Sequence, residues 1–253
     1  MVVVRFQGTC GNQLWQYAVA RIYAEKNGHQ LRKDLSAAIR DDLVHFNNAM
    51  DLHEGYGSNG FLSESTLMFV DGHLHDFPSL SPSKDAYFNG YFQRFEYIKD
   101  HKNQIKEWFA VDRQLPIDLD PSDLVLSIRR GWNGYPVSQC PPASFYENII
   151  QKESPKRVIL CTDTFSDDYF SFLSKYNVVY ADYDMMTQFC LIKSATKVVL
   201  SPSTFCWWAS WLGNASTIYY PWVNDLIPTD DKANWLVDNE DRYVIMKGIS
   251  VQQ

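Results

Sequence analysis

Residues 124–131 read LVLSIRRG, a short apolar run that ends in two adjacent arginines and a glycine. A run of this length, bounded by turn-forming residues and rich in branched aliphatics, is what a strand buried on both faces of a parallel sheet requires. Alternation along such a strand sets Ser127 and Arg129 on one face, with Ile128 and Arg130 on the other. Two guanidinium groups emerging from apolar surroundings are costly unless they meet carboxylates or a phosphate, whose oxygens the guanidinium fork fits. A pair of structural salt bridges answers that demand as well as a ligand does, and the stretch alone leaves both open.

Working outward, Val158 to Cys161, Val178 to Ala181, Val198 to Leu200 and Ile218 to Tyr220 are further short apolar runs, separated by segments of helical pattern. Strand, helix and strand in repetition predict an α/β fold with a parallel sheet covered on both faces. Upstream, Val2 to Phe6 predicts a strand, the Gly8 to Gly11 turn follows, and a helix is expected from about Asn12 to Lys26, closed at Asn27-Gly28. His29 to Asp34 is the next expected strand. Between Leu35 and Asn89 the pattern is weak and broken by Gly55, Gly57, Gly60, Pro78 and Pro82, which predicts loops and short helices. Arg94 to Phe109 carries apolar residues near helical spacing, and Leu115-Pro116 to Pro121 reads as an extended connection. The expected division is therefore 1–118 and 119–253, two lobes that each begin strand, loop, helix.

The chain has 253 residues, 45% of them apolar, enough for two cores of ordinary size. A formal charge of −7 with only 23 Lys and Arg argues against a general nucleic-acid surface, which needs a basic face to displace counterions. Cys10, Cys140, Cys161, Cys190 and Cys206 are scattered, form no CxxC pair and sit mostly in apolar runs, as reduced core thiols do. The opening MVVVRF lacks the layout of a signal peptide, and no apolar run approaches the roughly 20 residues of a membrane helix. A cytoplasmic protein is expected, with peripheral membrane association left open.

Two other segments fall at expected strand ends, where parallel sheets bind their ligands. In Gly8-Thr9-Cys10-Gly11-Asn12-Gln13 the glycines allow close approach of the backbone, and the following helix offers N–H groups to an anion. The spacing matches neither a dinucleotide fingerprint nor a Walker loop, so a tight turn with Asn12 as helix cap accounts for it equally well. In Ser201-Pro202-Ser203-Thr204, followed by a helix with Trp207, Trp208 and Trp211, Ser203 or Thr204 is expected to cap the helix while directing a hydroxyl and amides at a phosphate. Core packing is the expected role of the three indoles.

In this order, GxxGNQLxQYA (Gly8 to Ala18), Asn89-Gly90-Tyr91-Phe92-Gln93 ending in Tyr97, Arg129-Arg130-Gly131 and the Ser203 to Leu212 helix together resemble the α-1,2-fucosyltransferases of glycosyltransferase family 11. The resemblance spans nearly the whole chain, and Arg32 to Ser36 is similar to that family's strand end around Asp34. It implies a GT-B fold of two Rossmann-like lobes facing a central cleft. It also implies GDP-fucose as donor substrate, no metal or other cofactor, an inverting reaction and a glycan acceptor, often galactose. Residue by residue, it implies that Arg129 holds the donor diphosphate with Ser127 and Arg130 beside it. Ser203, Thr204 and Phe205 would surround the β-phosphate and nucleotide, and Gly11 and Asn12 would lie against the sugar diphosphate. Asp163 would accept hydrogen bonds from guanine N1 and N2.

Chemically, such a reaction develops negative charge on the leaving diphosphate, and an arginine with a helix N-terminus can neutralise it in place of magnesium. The acidic pairs Asp118/Asp120 and Asp182/Asp184 are accordingly read as turn and helix-start residues. The chain departs from the family's H-x-R-R-G-D by carrying Ser127 and Trp132. The proton acceptor is then unassigned; Asp34 and Glu96 are candidates, and the six histidines have no spacing that marks a site. The same departures feed the rival expectation of a nucleotide-sugar-binding protein with weakened or lost turnover. A related GDP-deoxyhexose donor also remains open, whereas a dinucleotide-dependent dehydrogenase lacks its glycine fingerprint.

Overall fold

The computed structural model describes residues 1–49, 85–130, 140–165, 168–222, 234–247 and 249, and the backbone of 67–71. Gly131, Trp132, His53, His73, His75 and the glycines and prolines between 50 and 84 lie outside the described residues. Two compact units divide the chain: Met1–Asp112 with Pro228–Leu236, and Arg113–Ile227 with Val237–Gln253.

In the first unit β1 (Val2–Gly8), β2 (Leu31–Ala38), β3 (Leu67–Asp71) and β4 (Asp85–Asn89) form a wholly parallel sheet in the order β2-β1-β4-β3. Helix α1 (Cys10–Lys26) crosses from β1 to β2, buried on almost every side from Cys10 to Ala24. It starts two residues before the expected position, with Thr9 at the N-cap, so Asn12 lies in the first turn and is not the cap. Its C-terminus closes as expected: Gly28 takes φ +65°, its N–H reaches Glu25 O, and the His29 N–H reaches Ala24 O at 2.8 Å. That pairing satisfies the carbonyls of the last turn and demands a left-handed residue at position 28.

Three other expectations for this unit are corrected. β2 continues to Ala38, so Asp34 sits within the strand, paired with Arg5, and does not end it. β3 and β4 occupy part of the region read as loops. The expected helix from Arg94 is two 3-10 turns, Phe95–Tyr97 and Lys99–His101, followed by α2 (Lys102–Trp108). The reason is tertiary: the Phe95 N–H donates to Asn234 O at 2.7 Å, and Asn234 N returns a bond to Gln93 O, so the backbone is held extended where a helix would begin.

The second unit contains β5 (Leu124–Ile128), α3 (Ala143–Glu153), β6 (Val158–Thr162), a 3-10 segment (Asp168–Lys175) and β7 (Val178–Tyr180). It continues with α4 (Met185–Ser194), β8 (Lys197–Val199), α5 (Thr204–Leu212), β9 (Thr217–Pro221) and β10 (Tyr243–Met246). All strands are parallel, in the order β10-β9-β8-β5-β6-β7. Counted from β5, this is the 3-2-1-4-5-6 order of a doubly wound dinucleotide-type sheet. β5 and β6 are buried along their whole length, which is why their sequences read as continuous apolar runs rather than alternating ones. At the amino end of β5 a nearly inaccessible Asp123 takes two bonds from Arg157, which lifts the guanidinium pKa further above its ordinary value.

Candidate functional site: the carboxyl ends of β5, β6 and β8

Strand order reverses between β5 and β8, and a doubly wound sheet holds its ligand in the crevice outside the carboxyl ends at that point. From β5 emerge Arg129 and Arg130, from β8 the Ser201–Thr204 turn into α5, and from the neighbouring β6 comes Asp163. Ser127, Arg129, Arg130, Asp163, Ser203, Thr204 and Phe205 therefore lie along one edge of one sheet.

The two arginines diverge. The Arg130 side chain is 7% exposed and its guanidinium carbon lies 4.0 Å from the centre of the Tyr169 ring, a cation–π stack that anchors it in the unit. Arg129 keeps a quarter of its side chain accessible, and its Nε stands 3.9 Å from Asp163 Oδ2. Asp163 Oδ1 accepts the Arg130 backbone N–H at 2.7 Å, and the Cys140 thiol donates to Arg129 O. Sequence reasoning missed Cys140 and Tyr169, because nothing local marks a thiol 11 residues away or a ring 39 residues away as partners of an arginine pair.

Helix α5 begins at the end of β8 with Ser203 at its N-cap, in extended geometry and without a side-chain bond to the first turn. The position is as expected, but the buried hydroxyl makes no cap bond and instead engages the Cys206 thiol. The Cys206 thiol donates to Ser201 O and Ser203 O at 3.3 Å and bonds the Ser127 hydroxyl, so the first turn of α5 is tied to the end of β5. Burial raises the pKa of the Cys206 thiol, the bond from Ser127 opposing it in part. Behind this turn Trp207, Trp208 and Trp211 are fully buried, with ring centres 5.2 to 5.5 Å apart. They form a packing layer and no wall of a site. Phe205 meets Phe189 of α4 edge to face at 5.4 Å.

The first unit has its own strand-order reversal, between β1 and β4. Gly8 ends β1 with φ +69°, a conformation that favours glycine, and a Cβ there would come 2.2 Å from Asn12 Nδ2, so that side chain would have to move. Asn12 accepts a bond from Gln93 at 2.9 Å, while Gln16 accepts from Gln7 N and donates to Gly90 O. Gln13, fully buried, bonds Arg40 O and Asp42 N. The glutamines of this motif thus knit the ends of β1, β2 and β4 together. Gly11 is buried in the first turn of α1. Asp34 is 3% exposed, with Oδ2 accepting from the Tyr87 hydroxyl and Oδ1 from Ser36 N. Glu96 bonds Asn234 and Arg94.

Of the two acidic pairs, Asp120 is engaged by Ser122 and Lys156, which bring its carboxyl down to about 2. Asp184 caps α4 through Met186 N and Thr187 N and pairs with Arg113. Among the described residues no group of three or more His, Cys, Asp or Glu has the placement to hold a metal, and no helix is long and apolar enough to cross a membrane.

No protein-family model matches the chain, and no curated protein matches its sequence. Solved structures do. A GDP-bound variant of Arabidopsis thaliana FUT1 aligns with a TM-score of 0.55 at 12% identity, covering 90% of this chain and 72% of that one. Fucosyltransferase NodZ from Bradyrhizobium, in its selenomethionine form, aligns with a TM-score of 0.50 at 14% identity, covering 86% and 92%. At such identity the likeness speaks of architecture alone, and with the two parallel sheets above it identifies the fold as two Rossmann-like units of the GT-B type.

Proposed function

We propose that the protein is an inverting glycosyltransferase that takes fucose from GDP-fucose. The observation that carries this reading is that Arg129, after β5, and the start of α5, after β8, both stand at the carboxyl ends of adjacent strands where the strand order reverses. Charge-assisted bonds from a guanidinium and amides at a helix N-terminus suit a diphosphate. The structural neighbours add support, since the names they carry are those of fucosyltransferases and one of them is bound to GDP.

In this reading the acceptor hydroxyl attacks the anomeric carbon from the face opposite GDP. Arg129 and the α5 amides take up the charge that grows on the leaving diphosphate, as preorganised donors do in a site that excludes water. Ser203 and Thr204 flank the phosphates and Phe205 the nucleotide. Asp34 is given no proton-transfer role, because burial within β2 and bonds to both oxygens keep it occupied. We assign the linkage as α-1,2 and the acceptor as a galactoside on the motif resemblance. The cytoplasm is the compartment that five scattered cysteines without a CxxC pair favour.

A second reading, donor binding with weak turnover, is favoured by Ser127, whose hydroxyl is engaged by a buried thiol where the family carries histidine. Incubating the protein with GDP-fucose, alone and with β-galactosides, decides between them. GDP release that rises with acceptor supports transfer; binding without release in every mixture supports the second reading.

A further inference from the structure

The sheet of the first unit has two unlike faces. Parallel pairing sets Val4 beside Phe88, whose ring meets Tyr23 of α1 at 5.3 Å, so that face lies under the helix. On the opposite face the same register groups Arg32, Val3 and Tyr87 in one row and Asp34, Arg5 and Asn89 in the next. The Tyr87 hydroxyl crosses over β1 to Asp34 Oδ2 and Ser36 N takes Oδ1, so the carboxylate beside both arginines is already engaged.

The arginines have nothing comparable. Every other arginine of the chain has an acidic side chain within 3.9 Å or, for Arg130, the ring of Tyr169. Among the described residues Arg32 makes no ion pair or hydrogen bond, and Arg5 makes only a long bond of 3.5 Å from Nη1 to Asn89 Oδ1. Both Nε atoms are nevertheless shut off from water without an acceptor, while each residue keeps part of its surface accessible. Asn89 adds a third donor: its oxygen takes the bonds from Gln7 and Arg5, which leaves its Nδ2 hydrogens unspent among the described residues. In a chain of formal charge −7, two guanidinium groups one row apart without an acidic partner form a costly arrangement that an incoming anion relieves.

We propose that this face of the first sheet binds an oxyanion carried by the acceptor glycan, the carboxylate of a sugar acid or a sulfate ester, held by Arg5 and Arg32 with Asn89 beside them. The choice of a glycan as carrier rests on the transferase reading above; the cationic patch does not. Arg5 stands opposite Asn89, the last residue of β4, near the carboxyl edge where a parallel sheet takes its ligands. The donor is assigned to the second unit, which leaves this edge to the other substrate. Diagonal neighbours on adjacent strands lie within reach of one ligand for side chains as long as arginine, and the planar fork of each matches a carboxylate or sulfate. On a galactoside that accepts fucose at O2, an acidic group at C6 stands clear of the reacting hydroxyl.

The test is ligand-observed NMR titration of the unmodified protein, Arg5→Gln, Arg32→Gln, Arg5→Lys and Arg32→Lys. The probes are methyl β-galactoside, methyl β-galacturonide, methyl β-galactoside 6-sulfate and inorganic sulfate, with GDP titrated separately. The unmodified protein is expected to bind at least one acidic sugar about tenfold or more tighter than the neutral one, as a charge-assisted contact does. Preference for the galacturonide identifies a carboxylate, and preference for the 6-sulfate a sulfate ester. Each glutamine variant is expected to lose most of that preference, with affinity for the neutral sugar and for GDP held within about twofold. The lysine variants, which keep the charge and lose the fork, are expected to retain part of it, and inorganic sulfate is expected to displace the acidic sugar.

Equal affinity for neutral and acidic sugars overturns the inference, as does a preference that survives both glutamine substitutions. Binding of inorganic sulfate without preference for any acidic sugar marks an adventitious ion only and overturns it too. Should a glutamine variant fail to fold, an undiminished preference in the corresponding lysine variant counts against the inference in its place. GDP binding without the acidic preference fells this inference alone, whereas the acidic preference without GDP binding fells the transferase reading and leaves the anion site standing.

Discussion

Three arginines of the second unit show how environment divides one residue type into different tasks. Arg157 pairs with Asp123 at the amino end of β5, Arg130 stacks on Tyr169, and Arg129 keeps an accessible side chain at the carboxyl end. Strand β5 ends at Ile128, before both arginines, and what divides their tasks is partners distant in sequence, which the stretch alone left open between salt bridge and ligand. The cysteines carry a sharper expectation. All five are buried, and burial pushes the Cys161 thiol up to about 12, the nearby Cys206 adding to it. A thiol-selective reagent is expected to modify none of them at neutral pH in the folded protein and all five in denaturant. Fast labelling of even one thiol in the native state would contradict this burial.

Among the elements, α5 depends on two features that its own sequence does not advertise. Arg242 reaches back to the carbonyls of Trp211, Gly213 and Ala215, supplying donors and positive charge at the helix C-terminus. Gly213 lies so close to α4 that an added Cβ would stand 2.3 Å from Lys193 O, a backbone atom that cannot swing away. Gly213→Ala is expected to destabilise the protein by about 1–3 kcal/mol, as overpacking does, and Arg242→Ala by about 1–3 kcal/mol through unpaired carbonyls. Denaturant titration checks both; a shift below about 0.5 kcal/mol in either would show that the contact is dispensable. Elements whose signal is local were legible: β5, β6 and the Gly28 closure of α1 follow from buried runs and a turn residue. β4, β10 and the broken helix at Phe95 were not, because a strand with polar ends, a four-residue strand and a helix interrupted by Asn234 owe their form to partners from elsewhere in the chain. The candidate site was half legible, in that Arg129 and Ser203 announce themselves at strand ends, whereas Cys140 and Tyr169 do not.

For the whole molecule, pH gives the broadest check. Glu153 is held below its ordinary pKa by Lys197 and Tyr219, and Asp120 by Ser122. Asp184 also lies low, burial opposing but Thr187 and Arg113 prevailing. Stability from these groups is fully present above the unfolded carboxylate range, near pH 4, and is lost as pH falls through the folded values. Cys161 and Cys206 act at the other end: their folded pKa values are raised, so stability falls as pH climbs past about 8.5, where unfolded thiols ionise. The melting temperature is therefore expected to be flat between about pH 5 and 8 and to drop on both sides; stability that keeps rising below pH 4 would contradict it. At this scale the central claim is that a guanidinium and a helix start together bind a diphosphate without help from a divalent ion. Titration of GDP into the unmodified protein and into Arg129→Ala, both in EDTA, tests it most directly. The expected result is clear binding by the first and at least about a tenfold weaker affinity in the second, the cost of a lost charge-assisted contact. Equal affinity in the two proteins, or binding that appears only when magnesium or manganese is restored, would contradict it.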